Sequence, residues 1–303
     1  MTIRPRRSVL FMPASNARAV EKARTLPIDA VILDLEDSIA PDAKAAARAA
    51  AVAAVKTGGF GPREVFVRVN GPETQWHVDD LAAAAQVAPD AILVPKISTS
   101  AQIELLGRRL FDMRTDLRTR LWIMIETPLA LFNILDLAAQ ARDSESRLAG
   151  FVMGTNDLAK DTRARIVPGR APMLPWLMTC LAAARIHGID ILDGVYNDTG
   201  DEDGFTKECE QGRDMGFDGK TLIHPSQIEP CNRVFSPTPE EVNHAREIIT
   251  AFDRPENAGK GVISLDGHMV ERLHADMARR TVAISEAIDA RFPPPGELAQ
   301  QQS

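Results

Sequence analysis

The chain has 303 residues, 45% of them hydrophobic, and a formal charge of −7, enough for one large α/β barrel or two ordinary domains. Only 5% of residues are aromatic, so Ala, Leu, Ile and Val must do most of the packing. The acidic balance speaks against the concentrated basic surface of a nucleic-acid binder, though not against an anionic small ligand held by local Arg and Lys. No apolar stretch approaches membrane-spanning length.

Cys180, Cys209 and Cys231 follow no CxxC or Cys/His metal spacing. An odd, unpatterned count is expected of reduced thiols in a cytoplasmic protein. The basic start Arg4-Pro5-Arg6-Arg7 precedes an apolar run that stops at Pro13, too short for a secretory core.

Eight short apolar runs read as buried strands: Ser8–Met12, Ala30–Leu35, Glu64–Val69, Ala91–Val94, Leu121–Ile125, Phe151–Met153, Ile189–Leu192 and Lys220–Ile223. Helical periodicity lies between them, over Lys44–Lys56, Asp79–Gln86, Ser100 (as N-cap) through Leu110, Pro128–Ala141 and Leu174–His187. Strands alternating with helices imply a parallel sheet, and eight units suit a (β/α)8 barrel. No GxGxxG or GxxxxGK[ST] occurs, which argues against an open dinucleotide fold. After the eighth strand the pattern changes. Pro237-Thr238-Pro239 opens a helix to about Phe252, Arg254 to Gly261 reads as a linker, and a last amphipathic helix is expected from about Met269 to Ala290. The expected division is a barrel over 1–236, a C-terminal helical segment or lid over 237–292, and a disordered Pro- and Gln-rich tail over 293–303.

A polar or charged residue follows nearly every strand: Pro13, Glu36 and Asp37, Arg68 and Asn70, Lys96, Glu126, Asn156 and Asp157, Asp193 and Tyr196, and His224. In a parallel barrel these ends converge on one rim, where active sites are built. Glu126 and Asp157 are the candidate metal pair. Two carboxylates suit Mg²⁺, which keeps several waters, and no His cluster suggests zinc. Helix capping is the rival role for either acid. Arg68, in Val65-Phe66-Val67-Arg68-Val69-Asn70, puts a charge in an apolar strand, which is costly unless paired. It reads as a clamp on a substrate carboxylate, as an ion pair with Glu36 or Asp37, or as both. Glu36 is expected to support Arg68 or metal-bound water, and Asp34 to be structural. His224 is left as a rim residue without a role.

These residues resemble the citrate lyase β-subunit-like family within the HpcH/HpaI aldolase and malyl-CoA lyase group. The matching stretches are Arg7 to Pro13, Leu33 to Ser38, Val67-Arg68-Val69-Asn70, Val94-Pro95-Lys96, Ile125-Glu126-Thr127-Pro128, Gly154-Thr155-Asn156-Asp157-Leu158, Gly216 to Lys220 and Ile223-His224-Pro225. They run in family order over most of the chain. The resemblance implies a TIM barrel forming a trimer or dimer of trimers. It implies Mg²⁺ on Glu126 and Asp157, a substrate arginine at Arg68, and Asn156 in the substrate site. It further implies CoA thioesters and small 2-oxo acids as ligands, with Arg7, Pro13 and Lys22 near the CoA. The C-terminal segment carries a catalytic Asp in the malyl-CoA lyase-like members. This chain reads Gly267-His268-Met269-Val270-Glu271 instead, so Glu271 is the candidate acid, displaced by roughly 1 Å.

The reaction expected from ring and resemblance is Mg²⁺-dependent cleavage or formation of a 3-hydroxyacyl-CoA of malyl, citramalyl or citryl type, giving acetyl-CoA and a 2-oxo acid. Four alternatives stay open: a malyl-CoA-type thioesterase, a β subunit of a citrate lyase complex, a non-catalytic CoA-ester or organic-acid binder, and a metal-dependent aldolase on free oxo acids.

Overall fold

The computed structural model describes residues 3–291. It divides into a barrel unit, Arg6–Phe235, and a second unit formed by the segment from Ser236 onward together with the residues up to Pro5. The expected tail at 293–303 lies outside the described residues.

The barrel opens with β1 (Ser8–Pro13), α1 (Ala17–Ala23), β2 (Ala30–Asp34), α2 (Lys44–Thr57), β3 (Glu64–Arg68), α3 (His77–Val87), β4 (Ala91–Val94) and α4 (Ser100–Asp112). It continues with β5 (Arg120–Ile125), α5 (Pro128–Phe132), α6 (Ile134–Ala139), β6 (Leu148–Met153), α7 (Thr155–Thr162), α8 (Leu174–His187), β7 (Asp190–Asp193), α9 (Glu202–Met215), β8 (Gly219–Leu222) and α10 (Ile228–Phe235). The eight strands pair in sequence order, all parallel, and β8 returns to β1 through Ser8↔Lys220, Val9↔Thr221 and Leu10↔Leu222. This is the expected (β/α)8 barrel.

The near-continuous apolar strands follow from burial on both faces. In β2 every residue is buried. Val31 and Leu33 face the helices, while Ala30 and Ile32 join Val9, Phe66, Leu93, Trp122 and Met124 inside the barrel. Because strand side chains alternate, the inward series Ala30, Ile32 continues to Asp34; Phe66 continues to Arg68; and Trp122, Met124 continue to Glu126. The polar rim is therefore the top of the same inward rows that fill the barrel lower down.

Trp122 is the largest side chain in that filling and is almost fully buried. It stacks near Phe66, with ring centroids 5.2 Å apart, and carries the Arg6 guanidinium 5.2 Å from its own centroid. Arg6 in turn pairs with Glu64 and Asp190, so a charged plug fastens β1, β3 and β7 at the strand N-terminal end. Gly150 gives the indole its room: a Cβ there would lie 2.5 Å from the ring.

Several helices depart from expectation. Thr99, not Ser100, caps α4 through a reciprocal pair with Gln102. The expected Pro128–Ala141 helix breaks at Asn133, whose side-chain amide donates to Ser98 O at 2.8 Å. Helices α1, α7, α9 and α10 lie where no helix is expected. The buried face of α9 is small, Phe205, Cys209 and Gly212, whereas α10 buries Ile228, Cys231, Val234 and Phe235 at helical spacing.

The second unit holds α11 (Pro239–Asp253), β9 (Val262–Leu265), β10 (His268–Glu271) and α12 (Arg272–Arg291). Here the expected helix from Met269 is corrected: His268–Glu271 is a strand, antiparallel to Val262–Leu265. Asp266 and Gly267 form the two-residue turn with φ of 48° and 80°, the conformation an Asp-Gly pair favours in hairpins. Among the described residues no helix is long and apolar enough to cross a membrane, and all three cysteines are free and buried.

Gly150→Ala is expected to destabilise the protein by about 1–3 kcal/mol through overpacking against Trp122. Urea unfolding should show a lower midpoint with an unchanged slope; an unchanged midpoint would mean that the indole moves aside freely.

Candidate active site

The inward rows end around a cavity of about 310 Å³ lined by residues of the rim, among them Phe11, Arg68, Met124, Glu126, Asn156 and Asp157. Its floor is the Arg68 guanidinium. Nε and Nη2 hold the two carboxylate oxygens of Asp34 at 2.7 and 2.8 Å, a fork-on-fork pair. Nη1 lies 2.8 Å from Glu36 and 3.4 Å from Asp37. Below, the guanidinium sits 4.7 Å from the Phe11 ring centre. The ion pair read from sequence thus exists, but its principal partner is Asp34, the acid expected to be merely structural. Asp34 also accepts from the backbone N–H of Glu36 and from both donors of Ser38, which fixes the turn carrying all three acids.

Three acids around one guanidinium do not fare alike. Asp34 is buried, but Arg68 and its hydrogen bonds hold its carboxyl below the ordinary range against the opposing push of desolvation. Glu36 is left with the remaining edge of Arg68. Desolvation, with Glu126, Asp37 and Asp34 as like-charged neighbours, pushes its carboxyl up to about 8 despite Arg68. One charge inside the barrel is matched bidentately, and a neighbouring carboxyl keeps its proton near neutrality.

Across the cavity, Glu126 and Asp157 meet on a common cation, the Lys96 ammonium, at 3.4 Å from Glu126 Oε1 and 2.7 Å from Asp157 Oδ2. Glu126 is the top of the β5 inward row. Its Oε1 also accepts the Lys96 backbone N–H at 2.8 Å, while its Oε2 is buried with no hydrogen-bond partner. Burial raises its proton affinity, Lys96 opposing and Asp157 adding to the effect. Gly154 makes room for this side chain, since a Cβ there would lie 2.3 Å from Glu126 Cβ. Asp157 stands in the first turn of α7 with its carboxylate on Lys96. The capping alternative fails for Glu126, because Thr127 caps α5.

The donor set suits a hard divalent cation that keeps several waters: two carboxylates, one with a desolvated and unpartnered oxygen. Among the described residues no group of three or more His, Cys, Asp or Glu offers a fuller cage. The first-turn N–H groups of α7, which a helix leaves without intrahelical partners, belong to Thr155 and Asn156 on the cavity wall.

Other rim residues are engaged elsewhere. Asn156 lines the cavity and exchanges amide hydrogen bonds with Asn197. Asn70 is buried under the rim, where Lys44 Nζ donates to it and to the carbonyls of Leu35 and Glu36. Asp193 is buried in ion pairs with Arg170 and Lys220. His224 caps the turn after β8 through Ser226.

The residues expected beside CoA are not brought together. Arg7 precedes β1 and is locked on Asp29 at 2.9 Å, at the end of the barrel opposite the cavity. Pro13 ends β1 at the rim, and Lys22 is exposed in the last turn of α1; neither lines the cavity. Glu271 belongs to the second unit, where its N–H donates to His274 Nδ1. Sequence reasoning gives Asp34 only a structural role and Lys96 none, yet both are central. Asp34 was visible as the third member of an inward row. Lys96 sat among the rim residues, but nothing in its spacing shows that its side chain bridges two other strand ends.

The HpcH/HpaI aldolase/citrate lyase family model matches residues 7–225. A (3S)-malyl-CoA thioesterase of Cereibacter sphaeroides (strain KD131 / KCTC 12085) is 49% identical over 286 residues, 94% of this chain and 96% of that protein. The citrate lyase subunit beta of Escherichia coli (strain K12) is 34% identical over 288 residues, 93% of this chain and 94% of that protein. Protein CitE from Mycobacterium tuberculosis, solved in complex with magnesium, acetoacetate and coenzyme A, superposes with a TM-score of 0.73 at 27% identity, covering 93% of this chain and 98% of that one. The chain therefore belongs to the HpcH/HpaI aldolase/citrate lyase family, as a member similar to the citrate lyase β subunit and CitE.

Proposed function

We propose that this protein is a Mg²⁺-dependent hydrolase of short hydroxy-diacid CoA thioesters of the (3S)-malyl type, with carbon–carbon cleavage of such thioesters as the second reading. The observation that carries the proposal is the meeting of Glu126 and Asp157 on one cation beside the cavity that Arg68 floors. Hydrolysis stands ahead of the lyase reading because the 49% relative named above is a thioesterase. The 34% citrate lyase β subunit is what favours the second reading.

In this assignment Glu126 and Asp157 hold Mg²⁺, which when bound acts as a Lewis acid and template for the acyl group. Arg68 attracts the free carboxylate of the acyl chain; Asp34 keeps the guanidinium plane fixed as it does so. The N–H groups opening α7 favour negative charge on the same wall. Asn156, tied to Asn197, offers amide donors to the acyl oxygens. Proton transfer is assigned to Glu36, whose affinity near neutrality is what a general acid or base needs, and to Glu271 of an adjacent subunit. The fragment bound through Arg68 and the cation is common to both reactions. They part at the thioester: water adds to the carbonyl carbon and the C–S bond breaks, or the carbon–carbon bond breaks and the thioester stays intact. A homotrimer or dimer of trimers in the cytoplasm remains the proposed setting.

Incubation with malyl-CoA and Mg²⁺ should release free CoA and malate in equal amounts. Acetyl-CoA with glyoxylate in their place would shift the assignment to the lyase. Asp157→Asn should lower kcat/KM by about 10²-fold or more, the scale of losing a principal electrostatic element, and unchanged Mg²⁺-dependent turnover would remove the metal assignment.

Glu36 also predicts a pH dependence of stability. Its carboxyl binds a proton more tightly in the folded chain (about 8) than an ordinary glutamate does (4.5). Between these values the native state holds the extra proton, so this group's contribution is full at low pH and is lost as pH rises through about 8. In chelator, urea unfolding at pH 5, 7 and 8.5 should show stability falling along that series, and Glu36→Gln should flatten the fall. An equal slope in the variant would show that Glu36 titrates normally.

A further inference from the structure

We propose that Lys96 is a resident counter-ion which competes with the divalent cation for Glu126 and Asp157, so that metal binding must expel its ammonium. The inference rests on the reading of those two acids as metal ligands.

Lys96 meets the site with two separate groups. Its backbone N–H fixes Glu126 Oε1 at 2.8 Å. Its ammonium reaches the same oxygen at 3.4 Å and Asp157 Oδ2 at 2.7 Å. The ammonium already holds one oxygen of each acid, so a cation bound to the same two carboxylates would sit within a few ångström of it, and two positive charges that close in a partly desolvated site repel strongly. The backbone contact needs no such exclusion, because an N–H directed at a carboxylate leaves that oxygen's other lone pair available.

The geometry also provides an exit. The backbone of Lys96 is in the left-handed region, φ 58°, unusual for a residue with a side chain. The root of the side chain is thus anchored by the contact to Glu126. The side chain itself is 34% exposed, whereas that of Glu126 is 1% exposed. Its stem lies against Gly71, where a Cβ would come within 3.3 Å of Lys96 Cγ. Glu126 is held in place while the lysine tip can swing into water. A divalent ion brings twice the charge of the ammonium; a monovalent ion brings no more than is already there. Lys96 therefore sets a threshold that favours divalent over monovalent cations at this pair.

The test is calorimetric titration of the chelator-treated full chain with MgCl₂, for wild type, Lys96→Met and Asp157→Asn. Lys96→Met keeps the stem and removes the charge. It should bind Mg²⁺ about tenfold more tightly, the scale of one charge-assisted contact, while Asp157→Asn should lose binding. Equal or weaker binding by Lys96→Met, with wild type binding and Asp157→Asn not, overturns the counter-ion proposal and leaves the metal site standing. No binding by wild type, or equal binding by Asp157→Asn, overturns the metal site and the proposal with it. A second measurement uses the unmodified protein and so does not depend on the variant folding. Acylation of Lys96 by acetic anhydride, read by peptide mass spectrometry, should rise severalfold on saturation with Mg²⁺. Unchanged or reduced labelling overturns the proposal.

Discussion

A buried guanidinium organises the top of this barrel. Arg68 reaches the inner face of β3 because it follows Phe66 by two residues, and there it must be paired or it would destabilise the fold. Asp34, at the matching height of the neighbouring strand, supplies that pairing with two oxygens. The cavity floor, the turn through Ser38 and the unusual proton affinity of Glu36 follow from that match. Glu36 and Asp37 must share the one guanidinium edge that Asp34 leaves, and Glu36 is the more buried of the two. A charge-matched cavity floor and a carboxyl that titrates near neutrality thus arise from one local arrangement.

The other half of the site is built from steric allowance. Glu126 can turn toward α7 because Gly154 has no side chain, and Asp157 arrives from the first turn of that helix. The two acids come from separate strand ends, converge because the barrel is closed, and are brought to one cation by Lys96 from a third. The site thus divides into a floor fixed by charge pairing and a wall fixed by backbone approach.

Much of this was legible in the residues. Apolar runs with β-branched and aliphatic side chains located all eight strands, with ends within one to three residues, because burial on both faces leaves little room for polar residues. The rim positions of Glu126, Asp157 and Arg68 followed from strand ends alone. Helix α9 is hard to read because it is mostly polar and its buried face is one phenylalanine with a cysteine and a glycine. The hairpin at Asp266-Gly267 was signalled by its turn residues, but the short strands beside it also fit an amphipathic helix, and Met269 and Glu271 were assigned to the wrong element. The partnership of Asp34 with Arg68 was within reach, since both lie on inward rows. The bridge made by Lys96 was not, because it depends on where a long flexible side chain points. Arg7 shows a different limit: the resemblance implies a ligand nearby, and its place before β1 puts it on Asp29, at the end of the barrel away from the cavity.

The closure of the barrel bears on how the chain is made. The edge of β1 that β8 covers finds its partner only when Lys220, Thr221 and Leu222 have been synthesised. Arg6 likewise waits for Asp190. Throughout elongation the first strand can pair with β2 on one side only, leaving a row of backbone donors and acceptors open on the other. Such an open edge is where nascent chains join one another. The last two strands therefore mark the point in synthesis at which this seam can close and the open edge disappears.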